Sequence, residues 1–122
     1  MSNGQKEKTM TVRELANILG ATTVAESDFE REVHGGYAGD LLSFVMGRAM
    51  PNCAWYTIMT NVNVCAVATL TDCAVVVICE DCIPDKLLVE RAKGQGINII
   101  ATSLDIYSAI ELVAKKTTKN TY

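Results

Sequence analysis

The densest chemistry in this 122-residue sequence is Cys79-Glu80-Asp81-Cys82. Two thiols at C-x-x-C spacing near a strand end form a redox pair when a helix N-terminus stabilises one thiolate. The carboxylates between them work against this, because nearby negative charge raises a thiol pKa. A zinc site needs four ligands. The sequence offers one histidine, His34, and three further cysteines, Cys53, Cys65 and Cys73, which complete a set only if the fold converges them. We therefore expect structural thiols and no bound metal. A redox or metal-binding protein using Cys79 and Cys82 is the alternative reading.

His34-Gly35-Gly36-Tyr37-Ala38-Gly39-Asp40 is a second constellation. Glycines before a helix N-terminus let backbone N–H groups approach an anion. The run lacks the Lys-Ser/Thr of a phosphate-binding loop and the spacing of a dinucleotide fingerprint. The plainer expectation is a tight turn with Asp40 as helix N-cap. Thr60, Asn61 and Asn63 are polar residues between two apolar elements, suited to helix capping or to hydrogen bonding a small ligand. The ligand-binding candidates are thus Gly36, Gly39, Asp40, Thr60, Asn61, Asn63, Glu80 and Asp81.

No nucleophile–base pair is evident. His34 is the sole imidazole, and nothing in the sequence places Ser43 or a cysteine beside it. Glu80 and Asp81 are adjacent, so their side chains diverge on regular backbone. Neither catalysis nor a cofactor is expected.

These residues need elements to hold them. Thr11 and Glu14 have capping-box spacing, Val12, Leu15, Ala16, Ile18 and Leu19 share a helical face, and Gly20 supplies a left-handed stop. Residues 22–25 and 31–33 read as short extended segments. A helix over 41–46 follows the glycine turn, with Gly47 and Pro51 closing it. Residues 55–59 read as a central strand in which Trp55 or Tyr56 faces the core and the other faces a partner. The stripe Val62, Cys65, Ala66 and Thr69 favours a helix over 63–70, and the β-branched residues leave a strand as the alternative. The β-branched run 73–79 reads as a strand buried on both faces. A helix from Pro84 to about Lys93 ends at Gly94-Gln95-Gly96. Residues 97–101 form another buried strand, and Ser103 caps a last helix through Val113. Met46, Met50 and Met59 are expected as core or interface filler. The alternation implies right-handed crossovers and a small, mostly parallel α/β sheet of about four strands flanked by helices.

Composition agrees. Apolar residues make up 49% and charged residues 20%, the balance of a packed globular domain. The net charge of -3 comes without a basic stripe, which disfavours nucleic acid. Residues 62–79 are interrupted by Asn63, Thr69, Thr71 and Asp72, so they do not read as a membrane span. Five cysteines without an export signal fit a reduced, cytoplasmic protein. We expect a leader over 1–9, one domain over 10–115 and a tail over 116–122.

Two stretches resemble a known family. Ile83-Pro84-Asp85-Lys86-Leu87-Leu88-Val89-Glu90-Arg91-Ala92, then Gly96-Ile97-Asn98-Ile99-Ile100-Ala101-Thr102 and Asp105-Ile106-Tyr107, look like the closing third of the DRTGG domain. Gly39-Asp40-Leu41-Leu42-Ser43-Phe44-Val45-Met46 resembles its short stand-alone members, relatives of the non-catalytic N-terminal domain of HPr serine kinase. The resemblance spans roughly residues 10 to 115. It implies an α/β fold, a homodimer and a regulatory or accessory role. Ligand binding, with a nucleotide or a protein as partner, is its implied activity; such domains accompany nucleotide-sensing CBS modules. The name-giving motifs are replaced here. Thr60-Asn61-Val62-Asn63 stands for Gly-Asp-Arg, and Cys79-Glu80-Asp81-Cys82 for Thr-Gly-Gly. A phosphate-pairing arginine is missing, and two carboxylates stand near. Both turns are expected at the carboxyl edge of a parallel sheet, where open α/β sheets hold ligands.

Overall fold

The computed structural model describes residues 9–117. The expected leader and tail lie largely outside them. Five strands form one sheet in the order β2 (Thr22–Ala25), β7 (Ile99–Ala101), β6 (Val75–Ile78), β5 (Ala54–Thr57) and β4 (Gly36–Ala38). The α/β expectation holds, with one strand more than expected. β4, β5, β6 and β7 are parallel, while β2 joins β7 antiparallel. A small ribbon pairs β1 (Met10–Thr11) with β3 (Glu32–Val33).

Three crossover helices connect the parallel strands: α2 (Leu42–Arg48), α3 (Asn63–Thr71) and α4 (Lys86–Gln95). They cover one face and bury Val45, Val64 and Leu88 against Trp55, Val76 and Ile99. α1 (Val12–Leu19) and α5 (Ile106–Thr117) cover the other, over Tyr56, Val75, Val77 and Ile100. Successive strand residues point to opposite faces. A sheet covered on both sides therefore buries every residue of β5 and β6. That corrects the expectation that only one of Trp55 and Tyr56 is core: both are buried. α5 also continues through Lys116 and Thr117, into the segment expected as tail.

The local signals explain the helix ends only in part. Thr11 Oγ1 accepts the Glu14 amide at 3.1 Å and Glu14 Oε1 accepts the Thr11 amide at 2.9 Å, completing the capping box. Gly20 ends α1 at φ 60°. Ser103 does not cap α5; Asp105 Oδ1 accepts the Ser108 amide at 2.7 Å instead. A carboxylate closer to the first turn is the stronger acceptor.

Two polar anchors fix the amino side of the sheet. Buried Asn98 has its donors and its acceptor oxygen engaged. Its Oδ1 accepts the amides of Ser27 and Asp28, and its Nδ2 donates to the carbonyls of Asp28 and Ala74. Arg31 Nη2 donates to Asn52 Oδ1 at 2.8 Å and to Asp72 Oδ1 at 2.9 Å, joining the turns before β5 and β6.

Candidate functional site

Because β4 to β7 run parallel, the loops that follow them gather at one edge. Gly39, Asp40, Thr60, Asn61, Asn63, Glu80 and Asp81 all belong to that edge. Gly36 does not. It opens β4 and lies at the sheet's opposite, amino end, opposite Ala54 in register. Within the glycine turn expected over 34–39, Gly36–Ala38 form an edge strand. His34-Gly35-Gly36 carries no β-branched signal, and the strand forms because β5 offers it a hydrogen-bonding partner.

Asp40 was expected as the cap of the second helix, and the structure corrects this. Leu41 occupies the cap position of α2 without a side-chain hydrogen bond. Asp40 Oδ1 instead accepts the Thr57 hydroxyl at 2.7 Å and the Ile58 amide at 2.9 Å. Gly39 is tied to the same strand: its amide donates to the Tyr56 carbonyl, and its carbonyl accepts Trp55 Nε1 at 2.9 Å. Both residues thus hold the loop after β4 against the end of β5.

The loop after β5 is similarly ordered. Asn61 Oδ1 accepts the Asn63 amide at 2.8 Å, a turn that leads into α3. The Thr60 carbonyl accepts the Asp85 amide at 2.9 Å, which links this loop to the one after β6.

Glu80 and Asp81 make the sharpest turn of the edge. Both have left-handed backbone, φ 65° and 59°. Their amides donate to the carbonyls of Leu104 and Thr102, and both side chains are left exposed. Beside them lies a pocket of about 380 Å³, lined among others by Asp81, Ile83, Pro84, Thr22, Thr102 and Ser103. Of the expected ligand-binding residues only Asp81 lines it.

Four of the five cysteines are buried, and burial raises their thiols. Burial pushes the Cys79 thiol up to about 11, with further upward push from Glu80, Asp105, Cys82 and Asp40. Cys73 is raised to about 12, chiefly by burial, and burial also raises Cys53 and Cys65. A buried thiol of this kind holds its proton at neutral pH and is a poor nucleophile. Among the described residues no three His, Cys, Asp or Glu side chains are grouped to hold a metal.

Sequence reasoning missed an apolar rim. Leu41, Ile58, Ile83, Leu87 and Tyr107 each follow a parallel strand at this edge, and all are exposed. Ile83 is 81% and Tyr107 75% accessible. The signal was an apolar residue beside Pro84 and an aromatic in the first turn of a helix, neither with a helical face of its own to fill.

This architecture has a solved counterpart. The chain superposes on the crystal structure of the CBS and DRTGG domains of the regulatory region of Clostridium perfringens pyrophosphatase, complexed with its activator diadenosine tetraphosphate. The TM-score is 0.74 at 14% identity, over 92% of this chain and 52% of that one. The chain thus spans about half the length of that crystallised regulatory region. At this identity the likeness is one of fold. No protein-family model matches the sequence, and no curated protein is significantly similar to it. No helix among the described residues is long and apolar enough to cross a membrane.

Proposed function

We propose that this protein is a non-catalytic regulatory module that binds a small ligand at the carboxyl edge of its sheet and works as a homodimer. The observation that carries the reading is the pocket beside Glu80-Asp81, open between the loops after β6 and β7 and rimmed by exposed Ile83. Its volume lies in the range of about 300–1,000 Å³ common to small-molecule sites. Two further points support it. The DRTGG resemblance has Thr-Gly-Gly where this chain has Cys79-Glu80-Asp81-Cys82, and Glu80 and Asp81 hold the left-handed backbone that glycine favours. The solved counterpart is itself a regulatory region bound to a nucleotide activator.

The chemistry of the edge restricts the ligand. Ile83, on the pocket's rim, suits a flat ring such as a nucleobase. Asp81, which also lines it, would repel bare phosphates, so a nucleotide would bring a divalent cation with it. A protein partner is the second reading. It is favoured by the apolar rim, which runs on past the pocket to Ile58 and Leu41. Five free cysteines accord with a reducing cytoplasm.

Calorimetry with adenosine, ATP and diadenosine tetraphosphate, each with and without Mg²⁺, tests the ligand. Saturable binding, lost in Ile83→Asp and without turnover, is the expected result. No heat from any of them overturns the small-ligand reading in favour of a protein partner. Light scattering at tens of micromolar tests the dimer, and a monomer there would remove it.

A further inference from the structure

The opposite end of the sheet carries a second opening. α1 and α5 pack together over one face and leave a groove of about 560 Å³ along the edge strand β4. Val33, Ile110 and Val113 give it apolar walls, and Gly36 and Tyr56 also line it. No residue of the carboxyl-edge pocket takes part.

Two independent observations set this groove apart from a packing defect. The first is Tyr56, which is 4% exposed yet lines the groove. Its hydroxyl makes no hydrogen bond to any described residue, whereas buried polar groups as a rule are satisfied. The second is Gly36. Its φ is unexceptional, so no turn requires glycine there. A Cβ at this position would stand 3.1 Å from Tyr56 Cε1 and 3.2 Å from the Ala54 carbonyl oxygen. Glycine lets the tyrosine ring lie against the edge strand.

We infer that this groove is a second binding site, for a slim, mostly apolar molecule whose one hydrogen-bond-accepting oxygen meets the Tyr56 hydroxyl. The walls dictate the apolar body, and the lone buried hydroxyl dictates the polar end. Burial raises Tyr56 to about 12, so the hydroxyl keeps its proton and donates at physiological pH. A carboxylate and a neutral carbonyl share the required chemistry, and the probes separate them.

The experiment is an NMR titration of the full chain, labelled with ¹⁵N, against octanoate and octanamide. Saturable shifts at the amides of Gly36, Tyr56, Ile110 and Val113 are expected with one or both probes. Tyr56→Phe keeps the ring and removes the donor. Its expected effect is about a tenfold weaker affinity, the equivalent of one ordinary hydrogen bond of about 1.4 kcal/mol. Ile110→Trp, on the half-open wall, fills the groove without touching the core and is expected to abolish binding. The carboxyl-edge variant Ile83→Asp leaves it unchanged, so the two sites succeed or fail separately. Shifts absent from the groove with both probes overturn the inference, as does undiminished affinity in Tyr56→Phe. Binding that appears only after residues 1–8 are removed also overturns it, because the chain itself then fills the groove.

Discussion

The carboxylate of Asp40, in the loop after β4, and the hydroxyl of Thr57, at the end of β5, meet at 2.7 Å, with Thr57 wholly buried. The pair closes the seam between β4 and β5 at the carboxyl edge. Thr57 Oγ1 also accepts the Met59 amide at 3.2 Å, so one contact orders both loops. Removing the carboxylate in Asp40→Ala leaves the hydroxyl and the Ile58 amide without that acceptor. The expected loss is about 1.5–3 kcal/mol, the range for hydrogen bonds to charged groups. Urea unfolding of Asp40→Ala, Thr57→Val and the double variant measures the coupling. Strict additivity would show that the two residues act independently.

Glycine at position 80 is expected to stabilise the protein. Glu80 holds a φ of 65°, a conformation that costs an ordinary L-residue roughly 1–2 kcal/mol. Part of the relief is offset by the greater chain entropy of glycine when unfolded, so Glu80→Gly should gain about 0.5–1 kcal/mol. Asp81→Gly should gain less, because aspartate tolerates this region better. Thermal melts of the two variants decide, and a lower midpoint for Glu80→Gly would contradict the turn geometry.

Asn98 is expected to be among the least replaceable polar residues. Asn98→Leu matches the volume but strands two amides and two carbonyls. We expect a loss of at least about 3 kcal/mol, since each unsatisfied buried group costs roughly 1–3 kcal/mol. Asn98→Asp keeps the acceptor and loses both donors, so it should also destabilise. Denaturant unfolding at pH 7 checks both. A cost below 1 kcal/mol for Asn98→Leu would mean that water replaces the lost bonds at about the strength of a surface contact.

Alkaline pH should weaken the fold. Cys73, Cys79 and Tyr56 are raised to about 12, 11 and 12, from ordinary values of 9.0, 9.0 and 10.0. Between those limits the folded chain binds more protons than the unfolded one. Stability is therefore complete below about pH 9 and declines as pH rises towards 12. Urea midpoints measured from pH 7 to 10.5 in the presence of a reductant should be flat at first and then fall. Alkylation at pH 7.5 offers a companion test: half-buried Cys82 should react first, and the four buried cysteines only on unfolding.

Much of the frame was legible because the strongest signals were local or periodic. The run Val75–Ile78 has no polar interruption and became the strand buried on both faces. Thr11, Glu14 and Gly20 carried the boundaries of α1. The misread positions share a different cause. Asp40 precedes a helix, as a cap would, yet a buried hydroxyl brought from seventeen residues further along the chain claims its carboxylate. β4 has almost no strand propensity and exists through its neighbour. The left-handed pair at 80 and 81 was hidden because neither residue is glycine. The site suffered most from this. Its loops do gather at the carboxyl edge, but the residues that line the pocket there, Ile83, Thr22 and Ser103, belong to elements that meet only in three dimensions.

The pairing of β2 with β7 sets a timetable for synthesis. Thr22 lies opposite Ala101, and α1 packs on α5. β2 thus has no strand to pair with, and α1 lacks its partner helix, until β7 and α5 have emerged. The parallel core from β4 to β7 can begin to assemble in order behind them, each crossover closing a short loop. The pairing of β2 and the full cover of α1 come only when these distant segments meet. A ribosome stalled before β7 would hold a chain whose Val12, Leu15 and Leu19 can reach Tyr56, Val75 and Val77 but lack Ile100 and α5, with β2 left unpaired.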